Sequence, residues 1–552
     1  MEVDKDQFVP MRDGVHLAVD IYRPDLLSRH AAVLIITPYK KDAQFDMPIG
    51  SDGRRMTALP IVIPPGVNPM LLSVKPLVDA GFVVAVADAR GTGFSEGNYD
   101  YYNLVEGPFD GYDLVEWLAE QPWCDGNVGI TGGSAAAISC YTTALTHPPH
   151  LRAMAPNMHP ADFYTDQWRI GGVFRYENRI GWATSQYGNI SPIDPGDPES
   201  PGYERRRAVY EARFDQWYRR IAAGQNPANL DWLTKMYQHD AYDDFWRSRS
   251  FLRRAQETSL PTLHSGVWYD HFVRGTVASH EASEGPKRLF VGPGSLATRP
   301  ELGDGGLTAL QIAWFDHFLR GAKNDVLAGP QARLYLLGDE RYVDMPSWPV
   351  PAVPTRYHLA SSANGSVGSG VDGALLAVPR ATDTSSLLQH DPANPNRTPP
   401  DPADQRSFEE GCLTFSSAVL EADLTVVGTP RLVLHATTNA PDVDFCVRLC
   451  DVFPDGRSRL LNTGALKGSH VGGHENPTAL VAGQIYEFDI EIWPTANVFR
   501  AGHRIRVDVS TSDFPFFEVN QHPSNTEVFH DSARPSHLLL PVVESPLPET
   551  GA

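Results

Sequence analysis

The stretch of this sequence with the clearest potential for chemistry is residues 126–144, where a short apolar strand runs into a helix of small residues. The turn between them reads Gly132-Gly-Ser-Ala-Ala136 and places Ser134 at its centre. This pattern is typical of a nucleophile elbow, in which a serine hydroxyl is exposed on a strained turn above a sheet. Alanine replaces the last glycine of the usual Gly-x-Ser-x-Gly pattern, and it is small enough to permit the turn. The structural alternative is an ordinary strand-to-helix turn with a serine near the helix N-cap.

Apolar runs around this turn predict the sheet that would position the serine. Residues 31–36, 82–87 and 128–130 are continuous apolar runs typical of buried parallel strands. Between the last two runs, residues 109–119 carry apolar side chains at helical spacing. Strands and helices that alternate in this way predict a doubly wound α/β sheet.

Changes of composition along the chain predict two additions to that sheet. Residues 147–250 are dense in glycine, tryptophan, arginine and proline with interrupted helical patterns, which predicts a helical cap inserted into the α/β domain. From residue 330 onward, short strand-like runs are separated by turn residues, as in a β-sandwich or jelly roll. The expected organisation is an α/β core in residues 1–146 and 251–329, a helical cap in 147–250, and a jelly-roll β-sandwich in 330–552.

Length and charge exclude several classes of protein. A chain of 552 residues is long enough for two or three domains with substantial cores. Its 46 basic and 67 acidic residues give a net charge of −21, which argues against non-specific binding to nucleic acid or to an anionic membrane surface. We expect no nucleic-acid and no membrane partner, and the partner that we predict is a small-molecule substrate.

The cysteines and the N-terminal residues lead us to expect an intracellular protein. The five cysteines lack the paired spacing of a zinc site or of a disulfide framework. The first residues show no basic region followed by an apolar run, and no later stretch approaches the roughly 18 apolar residues of a membrane span. We expect a soluble, cytoplasmic protein without a metal, and the absence of a nucleotide or flavin motif predicts no cofactor.

Several motifs in one order resemble the cocaine esterase family, a branch related to X-prolyl dipeptidyl aminopeptidases and α-amino acid ester hydrolases. The resemblance covers essentially the whole chain. It implies an α/β-hydrolase fold with a helical cap and a C-terminal jelly roll, in agreement with the partition above, and a homodimer is a reasonable expectation for such proteins. The motifs are Pro10-Met-Arg-Asp-Gly-Val15, Pro38-Tyr-Lys-Lys41, Asp88-Ala-Arg-Gly-Thr-Gly93, Ser95-Glu-Gly97, Trp123-Cys-Asp-Gly-Asn-Val-Gly129, Trp268-Tyr-Asp270, Phe315-Asp-His317, Leu319-Arg-Gly321, Asp451-Val-Phe-Pro-Asp-Gly456 and Phe499-Arg-Ala-Gly-His-Arg504.

The resemblance implies a role for four residues. Ser134 occupies the position of the nucleophile, and Asp270 matches the acid of the triad. Tyr39 falls where the family places a tyrosine whose hydroxyl forms the oxyanion hole together with a backbone N–H, here that of Ala135. Two such donors, aimed at the developing alkoxide, would be the largest electrostatic term in acyl transfer. For Asp270, the structural alternative is that it caps the helix that follows.

The triad histidine is absent from its expected position. Where relatives carry Gly-Pro-Trp-Ser-His, this chain reads Gly292-Pro-Gly-Ser-Leu296, so Leu296 stands in place of the general base. A leucine can neither accept the serine proton nor return it to a leaving group. His271 or His264 could replace the base, although adjacent residues in an extended chain point to opposite sides, which disfavours pairing of His271 with Asp270. The expected cap also contains His159 and His239.

Aromatic residues of the cap and core are candidates for the wall of a pocket at the carboxyl ends of the strands. Their structural alternative is simple packing of the cap on the core. Gly294, where relatives have tryptophan, would enlarge the space beside Leu296. The predicted substrate-binding residues are Trp168, Tyr164, Trp268, Phe272, His271 and Leu296.

Three functions follow from these residues. The first is an enzyme that acts on the carbonyl of an ester, amide, lactone or thioester through an incomplete triad, and whose reaction is non-hydrolytic: cyclisation, isomerisation, elimination or acyl transfer. The second is a serine hydrolase with a displaced histidine. The third is a catalytically silent binding protein, which the intact cap and jelly roll would permit.

Overall fold

The computed structural model describes residues 1–25, 27–42, 69–101, 109–226, 231–294, 305–361, 371–381, 385–544 and 547. Within these ranges the first part of the chain is built on a mixed sheet of ten strands. Its strand order is β1-β2-β4-β3-β5-β6-β9-β10-β11-β12, and β7 and β8 form a separate two-stranded ribbon. The strands are β1 (Glu2–Pro10), β2 (His16–Arg23), β3 (His30–Thr37), β4 (Val83–Asp88), β5 (Cys124–Gly133), β6 (Leu151–Asn157), β7 (Arg169–Ile170), β8 (Val173–Phe174), β9 (Thr262–Val267), β10 (Lys287–Gly292), β11 (Ala332–Leu336) and β12 (Arg341–Met345).

The centre of this sheet is parallel and is covered on both faces. Strand β3 pairs in parallel with β4 and β5, and β5, β6, β9 and β10 continue in the same sense. Along β3, Ala32 and Leu34 belong to one apolar core, whereas Val33 and Ile35 belong to the core on the other face. Successive side chains of a strand point to opposite faces, so a continuous apolar run is what a doubly covered strand requires. The predicted doubly wound sheet is thereby confirmed.

Helices on both faces complete the α/β domain, and five further helices lie between β6 and β9. The helix α3 packs on β3, β5 and β6, and α10 packs on β5 and β6. The helices of the described chain are α1 (Pro69–Asp79), α2 (Asp110–Ala119), α3 (Ala135–Ala144), α4 (Tyr176–Ile190), α5 (Tyr203–Ala222), α6 (Asp231–Gln238), α7 (Asp244–Arg247), α8 (Phe251–Arg254), α9 (Val273–Ala282), α10 (Leu307–Arg320) and α11 (Arg406–Glu409), with a π-helical turn at Phe163–Trp168.

The helices α4 to α8 form the predicted cap. Their apolar side chains gather around Tyr101, whose ring contacts those of Phe163, Trp168, Trp182 and Trp232 at centroid distances of 5.1–6.2 Å. Such aromatic pairs contribute more than the burial of their area alone. These aromatic residues belong to the same apolar core as one face of the main sheet, so the tryptophans of this part of the sequence pack the cap on that sheet.

The structure shifts the expected domain boundaries at two points. The strand β6 lies within the expected cap range 147–250, and it pairs with β5 and β9 in the main sheet. Beyond residue 330, β11 pairs in parallel with β10 and β12 closes that edge of the same sheet. The strands β11 and β12 are short, and their apolar and polar residues alternate little. Their sequences alone therefore do not separate them from the strands of the β domain that follows.

The remainder of the chain is a sheet-rich domain of thirteen strands around one large apolar core. Most neighbours are antiparallel, and β14 and β16 form a parallel pair. This agrees with the predicted β-sandwich. The strands are β13 (Val353–Ala360), β14 (Val371–Leu376), β15 (Ser385–His390), β16 (Leu413–Ser416), β17 (Leu424–Gly428), β18 (Arg431–Thr438), β19 (Asp444–Val452), β20 (Ser458–Lys467), β21 (Tyr486–Glu491), β22 (Thr495–Phe499), β23 (Arg504–Ser510), β24 (Ser524–Phe529) and β25 (His537–Val543).

Several ionisable side chains are buried in this fold, and their burial makes its stability depend on pH. Burial lowers the pKa of His159 and His280 to about 3 and that of His474 to about 4. Burial also places the pKa values of His264 and His271 well below the ordinary range. In the opposite sense, burial raises the pKa of several carboxyl groups, and the largest shifts bring Asp88 and Asp270 to about 6 and Asp508 to about 7.

We expect the protein to lose stability as the pH falls from about 7 to about 5. A histidine whose folded pKa lies below its unfolded value of about 6.5 takes up a proton on unfolding, which costs stability at up to about 1.4 kcal/mol per pH unit. The three carboxyl groups whose pKa values burial raises to about 6 or 7 act in the opposite direction within this range of pH, and the five histidines outnumber these three. Thermal unfolding followed by circular dichroism at constant ionic strength should show the midpoint fall. A midpoint that stays constant or rises on acidification would contradict this expectation.

Candidate active site

The turn that carries Ser134 has the backbone geometry of a nucleophile elbow. Strand β5 ends at Gly133 and helix α3 begins at Ala135, with Ser134 between them at φ 58° and ψ −121°. A non-glycine residue at positive φ is a strained conformation of the kind that concentrates at functional sites. A Cβ on Gly132 would lie 2.7 Å from the Cβ of Ala136, so glycine is required at 132. The alanine that replaces the last glycine of the motif therefore fits because its neighbour has no side chain.

Tyr39 provides a hydroxyl directly beside the serine. Its Oη lies 3.2 Å from Ser134 Oγ, and the indole Nε1–H of Trp182 donates to the same Oη at 3.2 Å. Since an indole N–H can only donate, Tyr39 accepts this bond and its own proton remains available for Ser134 or for a substrate oxygen. Strand β3 places Tyr39 at its carboxyl end, whereas Trp182 comes from α4 of the cap. Core and cap are thus joined at this hydroxyl.

The backbone amide of Ala135 supplies a second donor. It is the first residue of α3, and the first amides of a helix have no acceptor within the helix. The preceding amide, that of Ser134, donates to the Asn157 carbonyl oxygen at 2.9 Å and fixes the turn. A helix N-terminus also carries a partial positive charge, which favours a developing oxyanion. Together, the Tyr39 hydroxyl and the Ala135 amide have the composition of an oxyanion hole.

Asp270 is held rigidly just beyond the end of β9. Its Oδ2 accepts the Val267 amide at 2.9 Å, and its Oδ1 accepts the amide of Phe272, the residue before α9. Burial raises its pKa to about 6, while the two amides and the charge of Arg175 act to lower it. The alternative role suggested for this residue, that of ordering the start of the following helix, is therefore also present in the structure.

None of the nineteen histidines, all of which belong to the described residues, hydrogen-bonds to Ser134 or to Asp270. The Nδ1 of His271 accepts a bond from the Arg175 guanidinium at 2.9 Å. His264 and His159 both contact the Tyr141 hydroxyl, at 3.1 and 2.8 Å, within the core. His239 pairs with the Asp243 carboxylate in the cap at 2.6 Å. Leu296 lies outside the described residues.

The predicted pocket residues occupy different environments. Trp168 and Phe272 lie near each other, because the guanidinium of Arg179 is 5.5 Å from the ring centre of one and 5.9 Å from that of the other. Trp268 is fully buried in the core shared with the β domain and donates its indole N–H to the Tyr335 carbonyl at 2.6 Å. Tyr164 donates to the Asp240 carbonyl at 2.7 Å. The contacts of these last two residues are structural, and they do not bring either side chain to Ser134.

Sequence reasoning missed three residues near this site, Arg175, Arg179 and Trp182. Arg175 immediately precedes α4, and the other two lie on it three residues apart, so they share a helix face. One signal was available, since two arginines four residues apart have no acidic residue three or four positions away that could pair with either of them. The sequence cannot show that this helix face meets Tyr39 and Phe272, which are distant along the chain.

The described residues contain neither a cluster of metal-ligating side chains nor a membrane-spanning helix. No group of three or more histidine, cysteine, aspartate or glutamate side chains among them is arranged to hold a metal ion. All five cysteines are buried and unpaired. A search of the same residues finds no helix with both the length and the apolar character needed to cross a bilayer.

Comparisons with known proteins place this site in a family. Residues 13–295 match the family model of the X-Pro dipeptidyl-peptidase (S15 family), and residues 324–539 match that of the X-Pro dipeptidyl-peptidase C-terminal non-catalytic domain. The cocaine esterase of Rhodococcus sp. (strain MB1 Bresler) is 30% identical over 595 residues, with 98% of this chain and 99% of the relative covered.

Solved structures give the same fold over nearly the whole chain. An aminopeptidase from a marine sediment Thaumarchaeota archaeon aligns with a TM-score of 0.77 at 20% identity, and covers 98% of this chain and 96% of its own. An α-amino acid ester hydrolase aligns with a TM-score of 0.76 at 22% identity over the same shares of the two chains. Together with the family models, these likenesses establish that the chain belongs to the X-Pro dipeptidyl-peptidase (S15) family and has its α/β-hydrolase fold.

Proposed function

We propose that this protein is an enzyme that binds the carbonyl group of a small molecule between the Tyr39 hydroxyl and the Ala135 amide, and whose reaction does not use the ordinary histidine-assisted attack by serine. The observation that carries this proposal is the surroundings of Ser134 Oγ. Its hydrogen-bond partner within the described residues is Tyr39 Oη, at 3.2 Å, and no histidine bonds to it. The reaction classes that fit are cyclisation, isomerisation, elimination and acyl transfer.

The chemistry follows from what the site retains. A serine hydroxyl without an adjacent base is a weak nucleophile. Two donors that point at a carbonyl oxygen still stabilise negative charge on that oxygen, whether the charge is an enolate or an alkoxide. Ser134 would then serve as a third hydrogen-bonding group beside that oxygen. Asp270, whose pKa burial raises to about 6, is a carboxylate at neutral pH and is available to accept a proton.

A second candidate is a serine hydrolase of esters or amides with a displaced histidine. It is favoured by the elbow geometry of Ser134, by the ordered carboxylate of Asp270 and by membership of a peptidase family. His271 is the histidine next to that carboxylate in sequence, and its ring would have to leave Arg175 to serve as a base. This candidate requires a rearrangement, whereas the first does not.

Labelling with an alkyl fluorophosphonate separates the two candidates. The reagent traps serines whose hydroxyl is activated by a base, and intact-protein mass spectrometry counts the adducts. We expect no stoichiometric adduct on Ser134 at neutral or mildly alkaline pH, with Ser134→Ala as the control for labelling elsewhere. A stoichiometric adduct that the Ser134→Ala variant lacks would contradict the proposal and support the hydrolase. A screen that finds no turnover sensitive to Tyr39→Phe would support a silent binding protein.

A further inference from the structure

Two arginines at the start of α4 are buried without a carboxylate partner. Arg175 is fully buried, Arg179 is 2% exposed, and within the described residues neither forms an ion pair with an aspartate or glutamate. Several other deeply buried arginines are paired with a carboxylate, whereas Arg213 donates to backbone carbonyls. Those pairs are Arg206 with Asp6, Arg448 with Asp513 and Arg506 with Glu409.

The two guanidinium groups differ in how well the protein satisfies them. Arg175 donates to the His271 carbonyl and ring at 2.9 Å each and to the Asp166 carbonyl at 3.2 Å. Arg179 donates through Nη2 to the side chain of its neighbour Asn178. Its Nε and Nη1 are buried and have no hydrogen-bond partner in the described part of the chain. Buried donors are nearly always paired, so these two require an explanation.

The position of Arg179 points toward the candidate active site. Its guanidinium lies 5.5 Å from the ring centre of Trp168 and 5.9 Å from that of Phe272, which follows Asp270 by two residues. Three residues along the same helix, Trp182 bonds to Tyr39, which in turn contacts Ser134. The helix α4 therefore contacts Phe272 through Arg179 and Tyr39 through Trp182.

Burial disfavours the charged form of Arg179 and lowers its pKa to about 10, a value at which it is still a cation at neutral pH. An unpaired buried cation costs folding free energy, and proteins retain such groups where a ligand supplies the counter-charge. A carboxylate matches the planar fork of a guanidinium and can accept two parallel hydrogen bonds from it. The two edges of a guanidinium that form such a pair are Nε with Nη2 and Nη1 with Nη2, so each edge of Arg179 contains one of its two unpaired nitrogens.

We propose that Arg179 binds a carboxylate group of the substrate, so that this enzyme acts on a carbonyl compound that also carries a carboxylate. One carboxylate oxygen accepts from an unpaired nitrogen of Arg179, Nε or Nη1, and the other accepts from the second hydrogen of Nη2, whose first is donated to Asn178. The rings of Trp168 and Phe272 flank the guanidinium and exclude water from the pair. The claim that the substrate also has a carbonyl group rests on the proposed function. The contact between Arg179 and a carboxylate does not, and it can be tested by binding alone, without turnover.

The test is isothermal titration calorimetry with two aryl carboxylates, benzoate and phenylacetate, and their primary amides, which have the same shape without the charge. We expect at least one carboxylate to bind the unmodified protein more tightly than its amide by about 10-fold or more, as for a charge-assisted bidentate pair. Arg179→Met should abolish that preference and at the same time raise the midpoint of thermal unfolding, since it removes an unpaired buried charge. Arg179→Lys should keep part of the preference, because it retains charge without the fork.

Arg213→Met is the matched control. Arg213 is also a buried arginine of the cap, 5% exposed, and it donates to the backbone carbonyls of Gly93 and Ser95. Its loss should lower the unfolding midpoint, because those carbonyls lose their donors, and should leave the preference for carboxylate unchanged. The two arginine-to-methionine variants are thus expected to shift the midpoint in opposite directions.

Two results would overturn the proposal. One is that neither carboxylate binds the unmodified protein more tightly than its amide. The other is that Arg179→Met lowers the unfolding midpoint as Arg213→Met does, which would show that Arg179 is paired within the fold. Stoichiometric fluorophosphonate labelling of Ser134, together with a retained preference for carboxylate, would refute the proposed function and leave the carboxylate site standing.

Discussion

Replacing Leu296 by histidine is expected to raise the rate of p-nitrophenyl butyrate hydrolysis by about 100-fold or more, the size of a general acid–base contribution. The motif order places Leu296 where relatives carry the triad histidine. That position lies outside the described residues, so the expectation rests on this alignment of motifs and on the parts of the site that are described. Those parts are Ser134 on its elbow, the Tyr39 hydroxyl at 3.2 Å and the Asp270 carboxylate fixed by two amides. Among these parts, no histidine bonds to Ser134 or to Asp270.

Steady-state kinetics of the Leu296→His variant against the unmodified protein measures this effect. Leu296→Asn is the matched control, because it introduces a polar side chain of similar reach that cannot act as a base. Adding Ser134→Ala to Leu296→His should remove the gain entirely. If the unmodified protein already hydrolyses the ester as fast as the Leu296→His variant does, another residue serves as the base and the displaced-histidine hydrolase becomes the better description.

Tyr39→Phe, made in the Leu296→His protein, is expected to lower kcat for the same ester by about 100- to 1,000-fold, as the loss of one oxyanion donor does elsewhere. The phenylalanine keeps the ring and removes only the hydroxyl that contacts Ser134. The effect should fall on kcat more than on KM, because the oxyanion exists in the transition state and not in the bound ester. Stopped-flow or steady-state absorbance at 405 nm follows the product in both proteins.

Trp182→Phe provides the control for this second prediction. It removes the indole N–H that donates to Tyr39 Oη and leaves the Tyr39 hydroxyl in place. We expect a clearly smaller loss of kcat, since this indole orients the donor and does not itself reach the oxyanion. Equal losses in Tyr39→Phe and Trp182→Phe would contradict the assignment of Tyr39 as the donor, and would indicate that the cap contact is what matters.

The sequence alone accounts for the local features of the site. The elbow depends on residues within five positions of Ser134, and small side chains at 132 and 136 are visible in the sequence. The apolar run 31–36 of β3 identifies a strand buried on both faces, because every residue of that run is apolar. The resemblance adds Tyr39 and Asp270, which no local pattern connects to Ser134. The structure then places the Tyr39 hydroxyl against the serine, as that resemblance implies.

Other sequence-based assignments needed the fold. That Trp268 and Tyr164 line the pocket stays a prediction; in the structure the Trp268 indole donates to the Tyr335 carbonyl of β11 and the Tyr164 hydroxyl donates to the Asp240 carbonyl of the cap. An aromatic residue near a motif can serve packing or binding equally well, and its type does not distinguish the two. The edge strands β11 and β12 are a similar case, because pairing with β10 assigns them to the first sheet.

What the sequence determined by itself is the set of short-range choices: strands, helices and the turn at Ser134. These depend on neighbours along the chain, where steric and hydrogen-bonding preferences act directly. Only the tertiary structure decided which charged side chains are buried and which groups lie next to them. Arg179 is 45 positions from Ser134, and only the packing of α4 against the core turns it from one arginine among many into a buried cation with unmade hydrogen bonds, on the same helix as the Trp182 that bonds to Tyr39. Burial sets the cost of a charge, and burial is a property of the folded chain.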